Sequence, residues 1–151
     1  MSAILTGGKF ATDALFLVLV GPTDDLVCSF PTISPCTFVD DITLHVSGDE
    51  STVAAILPEA TSWLIHRLED DLDMRVSRAQ PWGRDESKKT VATFSSKRLH
   101  RRLEPTMRSM GVATPSQVKL LGCDYAAGKV TKRKVQAQRI GKVTKRLRRY
   151  Q

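Results

Sequence analysis

The sequence predicts an α+β domain in which helices pack on one face of a small antiparallel sheet. Segments with alternating or β-branched apolar residues are interspersed with longer segments whose apolar residues recur at helical spacing. One pair of short strands is also spaced as a β-hairpin. At 151 residues, with 41% hydrophobic and 26% charged residues, the chain can bury a core without disulfides.

The chain begins with an apolar segment, residues 10–20, that we predict to be helical. The sequence GPTDD, residues 21–25, has the composition of a turn and should end this helix, which would place Asp24 and Asp25 in that turn. A short apolar piece, residues 26–30, and a proline-containing loop, PTISP, residues 31–35, should follow.

A β-hairpin is predicted within CTFVDDITLHVSG, residues 36–48, where apolar side chains alternate as in a half-buried strand pair. The alternating residues are Cys36, Phe38, Ile42, Leu44 and Val46. Asp40 and Asp41 lie between the two strands, although Asp-Asp is a poor pair for a tight turn and adjacent carboxylates repel by roughly 1 kcal/mol at 4 Å in water. Two explanations are open: a divalent cation bound by both carboxylates, or a solvated loop that screens the repulsion.

A helix should follow the hairpin, capped by Ser47 or Asp49. Pro58 should kink this helix or divide it in two. Its apolar residues recur on one face: Val53, Ile56, Leu57, Ala60, Leu64 and Leu68.

The second half of the chain is predicted to contain a loop, PWGRDES (residues 81–87), and then a strand, KKTVATFSS (residues 88–96). An amphipathic helix should start after the N-cap Ser96 and stop at Gly111, with Leu99, Leu103, Met107 and Met110 on one face and Pro105 inside it. A last strand, VKLLGCDYA, is predicted over residues 118–126.

The formal net charge of +7 is unevenly distributed along the chain. Residues 128–151 contain ten Lys and Arg and no acidic residue, whereas residues 1–127 carry a net charge of −3. We therefore predict a folded part, residues 1–127, and a basic tail, residues 128–151, that forms an amphipathic helix and binds a polyanion. The tail cations expected at a nucleic-acid backbone are Lys132, Arg133, Lys134, Arg139, Lys142, Lys145 and Arg146.

Other functions of the tail stay open at this point. It could be a solvated helix, a nuclear-targeting segment or an amphipathic membrane anchor. The last is disfavoured because the tail has no Trp or Phe and only one Tyr.

The cysteine content and the lack of a recognisable transmembrane segment or signal peptide indicate an intracellular protein, cytoplasmic or nuclear, that is not secreted. The three cysteines are odd in number and widely spaced, which is typical of free thiols in a reducing compartment. They make no zinc-ligand spacing with the histidines. The apolar run of residues 14–20 is too short for a transmembrane segment, and no signal peptide is recognisable.

FVDD, residues 38–41, resembles the aromatic-x-Asp-Asp motif of reverse transcriptases, in which a palm hairpin presents aspartates to metal ions. Three later segments are similar to elements of that family in the same order. These are the lysine-bearing segment SKKTVATFSS (residues 87–96), the primer-grip-like Leu121-Gly122, and the basic tail at the position of the thumb. Together they span about two-thirds of the chain and fit the non-long-terminal-repeat retrotransposon type best.

The resemblance implies RNA-templated DNA synthesis by two-metal nucleotidyl transfer, with Mg²⁺ or Mn²⁺ as cofactor. It makes Asp40 the first metal ligand and Asp41 its support, and it places Lys88 or Lys89 near the leaving pyrophosphate. The implied partners are an RNA template, a DNA primer and a nucleoside triphosphate.

The sequence also departs from the family. Residues 1–39 contain no convincing counterpart of the upstream metal-binding aspartate, of the glycine-bearing segment or of the fingers. The chain is therefore expected to be a C-terminal palm fragment with the start of a thumb, inactive as a polymerase without the missing upstream portion. The alternative is a non-enzymatic nucleic-acid-binding module that acts through its basic tail.

Overall fold

The computed structural model describes residues 10–78, 90–120, 123–126 and 140–141. The chain forms two compact units, Met1–Val76 and Ser77–Gln151. The predicted α+β class is confirmed, since each unit combines helix with a two-stranded antiparallel sheet. The boundary predicted after residue 127 falls inside the second unit and stays a prediction.

The first unit contains helix α1 (Ala11–Ser29), strands β1 (Ile33–Phe38) and β2 (Asp41–Val46), and helix α2 (Glu50–His66), which continues into a π-helical turn (Arg67–Asp71). The described part of the second unit contains helix α3 (Lys97–Ser109) and strands β3 (Gln117–Leu120) and β4 (Cys123–Ala126). Among the described helices, none has both the length and the apolar character needed to cross a membrane.

Helix α1 continues through GPTDD, so the predicted turn there is wrong. Asp24 and Asp25 lie in the helix, and residues 26–29 form its last turn. Proline and glycine inside a helix cost about 3 and 1 kcal/mol relative to alanine. Packing offsets this cost, because the buried residues Leu19, Pro22 and Leu26 lie on the same face of α1. In addition, the Thr23 hydroxyl donates to the Leu19 carbonyl at 2.8 Å.

The core of the first unit lies between the hairpin and helices α1 and α2. Its most buried members are Leu19, Leu26, Ile33, Ala60, Leu64 and Leu68. The half-buried Ile42, Leu44 and Val46 of β2 pack against this cluster, as do Phe30 and Trp63, whose rings meet edge to face at 6.4 Å between centroids. The core thus holds the hairpin against both helices.

The structure decides between the two predicted caps of α2. The Asp49 carboxylate accepts a hydrogen bond from the backbone N–H of Thr52 at 2.6 Å, so Asp49 and not Ser47 is the N-cap. Pro58 lies inside α2 without dividing it. The predicted apolar face is largely confirmed, with Val53, Ala60 and Leu64 buried in α2 and Leu68 in the π-helical turn.

In the second unit, helix α3 starts as predicted. Its N-cap Ser96 accepts from the backbone N–H of Leu99 at 3.0 Å. Leu99, Leu103 and Met107 are buried, while Met110 is only half-buried. The helix stops before Gly111, whose positive φ of 76° suits glycine.

Two strand predictions in this unit need correction. The described part of the segment 88–96 forms only an isolated parallel bridge, between Val91 and Ala113. Residues 117–126 contain two antiparallel strands instead of one, because Leu120 pairs with Cys123 and Gln117 with Ala126. This antiparallel pairing gives backbone groups of each strand hydrogen-bond partners in the other.

Candidate functional site

The predicted hairpin is confirmed, and it carries Asp40 and Asp41 at its tip. Strands β1 and β2 pair antiparallel from Ile33 with Val46 to Phe38 with Asp41. Val39 and Asp40 therefore form a two-residue loop, and Asp41 is the first residue of β2. Both aspartates are exposed. Two adjacent carboxylates are thus presented to solvent from a short and well-defined turn.

The inward face of β1 differs from the prediction. Cys36 and Phe38 were expected to face the core, but both are exposed, Phe38 by 58%. Ile33 is buried instead, and Pro35 and Thr37 are half-buried. Each of these three residues is paired across the sheet with an apolar residue of β2, namely Val46, Leu44 and Ile42. Asp41 consequently lies on the outer face of the hairpin, directly opposite Phe38.

The loop residue Val39 has an unfavourable backbone conformation. Its φ of 58° lies in the left-handed region, which costs a non-glycine residue roughly 1–2 kcal/mol. A β-branched residue is especially rare there, whereas glycine is the usual first residue of a two-residue hairpin loop with this conformation. The strain is local and lies immediately beside Asp40.

Solvent exposure weakens the electrostatic repulsion between the carboxylates of Asp40 and Asp41. Because water and salt screen both carboxylates, the hairpin does not need a bound cation in order to form. Within residues 10–78 and the other described segments, no group of three or more His, Cys, Asp or Glu side chains is placed to hold a metal ion. Asp40 and Asp41 therefore offer two carboxylates and no third side-chain ligand from this part of the chain.

The other predicted site residues lie outside the described residues. These are the lysine pair Lys88 and Lys89, the primer-grip-like Leu121 and Gly122, and the tail cations Lys132, Arg133, Lys134, Arg139, Lys142, Lys145 and Arg146. Their predicted roles stay predictions. Of the predicted thiols, Cys28 and Cys36 are free and exposed.

A second polar site, not anticipated from the sequence, lies along α2 and the π-helical turn. An open cavity of about 500 Å³ is lined by Glu59, Ser62, Trp63, His66, Arg67, Asp70 and Asp71. These residues recur at intervals of three and four along one helical face, and that spacing is the signal that could have revealed them.

Four of the residues that line this cavity, His66, Arg67, Asp70 and Asp71, form polar pairs. The Arg67 guanidinium donates to Asp71 at 2.6 Å and to Asp25 of α1 at 3.0 Å, and His66 Nδ1 lies 2.8 Å from Asp70 Oδ2. The hydrogen bond to Asp71, followed by that to Asp25, raises the pKa of Arg67 above its ordinary value. Since these side chains are between 42% and 73% exposed, water and salt screen each pair, and each pair contributes little to stability. The arrangement joins α1 to the end of α2.

We compared the chain with models of protein families, with curated proteins and with solved structures, and none of the three comparisons gave a match.

Proposed function

We propose that this chain derives from the palm of a reverse transcriptase and that Asp40 and Asp41 bind Mg²⁺ or Mn²⁺. One observation carries the proposal: Asp40 in the two-residue loop and Asp41 at the start of β2 place two exposed carboxylates at the tip of a hairpin that packs on a helical core. The strained Val39 beside them supports it, because unfavourable backbone conformations concentrate at functional sites.

The chemistry of the donor set suits these cations. Mg²⁺ prefers carboxylate oxygens and usually binds through one or two carboxylates together with substrate phosphates. Asp40, in the loop, would be the first ligand, and Asp41, at the start of β2, would support it. Bound metal would supply charge stabilisation for nucleotidyl transfer.

We further propose that the chain does not polymerise by itself. Two adjacent carboxylates are fewer ligands than a two-metal site requires, and the described segments offer no third. A further carboxylate from an additional polymerase segment would complete the site. RNA template, DNA primer and nucleoside triphosphate would then be the partners.

The second candidate function is non-enzymatic binding of nucleic acid through the basic tail. One observation favours it: residues 128–151 carry ten cations and no acid. The two candidates differ over metal, since a simple nucleic-acid binder has no need of Asp40 and Asp41.

Mn²⁺ binding to the full chain, measured by electron paramagnetic resonance of the free ion, separates the candidates. We expect weak binding that Asp40→Asn reduces by tenfold or more, which corresponds to about 1.4 kcal/mol. Asp24→Asn is the matched control, because Asp24 and Asp25 form another exposed, adjacent pair, but on helix α1. Equal binding by wild type and both variants would favour the non-enzymatic function.

Primer extension tests the proposed lack of activity. The purified chain is mixed with a primed RNA template, deoxynucleotides and Mg²⁺, and we expect no extension. Extension that Asp40→Asn abolishes would contradict the inactive-fragment proposal while supporting the metal site.

A further inference from the structure

The two units carry net charges of opposite sign, although residues 1–127 taken together have a net charge of only −3. Met1–Val76 contains 3 Lys and Arg against 12 Asp and Glu, a net charge of −9. Ser77–Gln151 contains 20 Lys and Arg against 4 Asp and Glu, a net charge of +16. Ten of those cations precede the tail, so the second unit is basic independently of residues 128–151.

Helix α3 concentrates part of this charge on one side. Its buried residues Leu99, Leu103 and Met107 occupy one face. At 3.6 residues per turn, its five cations fall on the opposite side, and all five are exposed. We call this set the α3 basic face: Lys97, Arg98, Arg101, Arg102 and Arg108.

Much of this charge is not neutralised locally. Glu104 is the only acidic residue in α3, and it bonds Arg108 at 2.9 Å. Within the described parts of the chain, no acidic side chain forms an ion pair with Lys97, Arg101 or Arg102. These three side chains are therefore available to an external anion.

We propose that the α3 basic face binds the phosphodiester backbone of a nucleic acid, as a surface separate from the tail. From Lys97 to Arg108 the face extends about 16 Å along the helix axis, which matches about five base-pair steps of a duplex. Four of its five cations are arginines, whose planar guanidinium binds phosphate oxygens in pairs. The inference stands whether or not Asp40 and Asp41 bind metal.

The packing of α3 distinguishes this partner from a lipid surface. A basic amphipathic helix that binds membranes inserts its apolar side into the interface. In this unit the apolar side of α3 is already buried, because Leu99 and Leu103 are at most 4% exposed and Met107 is fully buried. The exposed side carries cations and no large apolar residue. Helix α3 can therefore contribute electrostatic attraction but no insertion of apolar side chains, and electrostatic attraction to phosphates is the main term in nucleic-acid binding.

Fluorescence anisotropy of the full chain with labelled DNA and RNA duplexes of about 20 base pairs, in EDTA, tests the proposal. The key variant is Lys97→Gln/Arg101→Gln/Arg102→Gln. Each phosphate contact adds about 0.9 to the slope of log affinity against log salt. We therefore expect this variant to lower the slope by about 2 to 3 and to weaken binding at least about tenfold near 0.1 M salt. Similar losses with DNA and RNA indicate backbone recognition, and a loss confined to one duplex identifies it as the ligand.

Two controls separate charge, position and folding. The tail variant Lys132→Gln/Arg133→Gln/Lys134→Gln removes the same number of charges, so any difference between the two triple variants reflects position. The charge-conserving Lys97→Arg/Arg101→Lys/Arg102→Lys should retain most of the affinity and the full slope. Far-UV circular dichroism of every variant checks that α3 is intact.

Three results would overturn the proposal. One is an unchanged affinity and slope for the neutralised α3 variant, with binding lost only in the tail variant. Another is an equal loss in the charge-conserving variant. The third is α3-dependent binding to phosphatidylserine vesicles without α3-dependent binding to either duplex. Because EDTA removes divalent cations, none of these results depends on Asp40 or Asp41, and the two proposals fail separately.

Discussion

Asp49 is a residue whose role follows from local chemistry alone. It precedes α2, and its carboxylate accepts hydrogen bonds from the Thr52 backbone N–H at 2.6 Å and from the Ser51 hydroxyl at 2.8 Å. The bond to Thr52 first, and then that to Ser51, lowers the pKa of Asp49 from 3.8 to about 2, because both stabilise the ionised form. The N-cap is therefore strongest when Asp49 is charged.

This lowered pKa predicts how the cap depends on pH. The stabilisation from the ionised carboxylate should be complete above about pH 3.8 and should be lost as the pH falls through about 2. The difference in urea midpoint between wild type and Asp49→Ala should accordingly be constant near neutral pH and shrink in acid. The signal is Trp63 fluorescence in a Trp82→Phe background, which follows the first unit.

Ser47→Ala is the control for this prediction, since it removes the rejected cap residue and no titrating group. Its effect on the midpoint should not change with pH. An Asp49→Ala difference that stays the same from neutral pH down to pH 2 would contradict the assigned cap.

In helix α1, tertiary packing overrides the local preference of GPTDD for a turn. The turn predicted at GPTDD does not form, because Leu15, Leu19, Pro22 and Leu26 recur at intervals of three and four and bring one face of α1 onto the core. That spacing was present in the sequence and runs across the glycine-proline pair. The opposite face of α1 remains exposed, including Phe16 and Leu17.

Alanine substitutions on the two faces of α1 should therefore differ sharply. Leu26 is fully buried, so Leu26→Ala should lower the free energy of unfolding of the first unit by about 2–5 kcal/mol. Leu17 is 73% exposed in the same helix, and Leu17→Ala should change it by no more than about 0.5 kcal/mol. Urea unfolding followed by Trp63 fluorescence measures both.

Equal effects of Leu26→Ala and Leu17→Ala would mean that α1 does not pack as described. A large effect of Leu17→Ala alone would assign the core to the opposite face.

For the whole molecule, the dominant feature is the opposite charge of its two units. The first unit holds 12 acidic residues and only 3 basic ones, and two of its ion pairs share Arg67. Repulsion among the remaining carboxylates should destabilise this unit at low ionic strength. The second unit should repel itself likewise and attract polyanions.

Salt should consequently stabilise the first unit. Raising NaCl from about 0.01 to 0.15 M shortens the Debye length from about 30 to 8 Å, which screens repulsion across the unit. The urea midpoint reported by Trp63 should therefore rise. An equimolar amount of an uncharged osmolyte controls for effects that do not depend on charge, and a midpoint that falls with NaCl would mean that ion pairs outweigh the repulsion.

Features that depend on local periodicity and on helix capping could be predicted from the amino-acid sequence. These include the α+β class, the hairpin around Asp40 and Asp41, the helix after Asp49 and the helix after Ser96. Such features follow from neighbours a few residues apart, whose hydrogen bonds and spacing a sequence displays directly.

Tertiary packing selects among local conformations that are all compatible with the sequence pattern. It turned Ile33, Pro35 and Thr37 of β1 inward in place of Cys36 and Phe38. It also carried α1 through a glycine-proline pair and divided residues 117–126 into two strands. Each choice depends on which surface a distant segment covers and on which backbone groups it pairs. The burial and pairing energies involved exceed the propensities that a local pattern records.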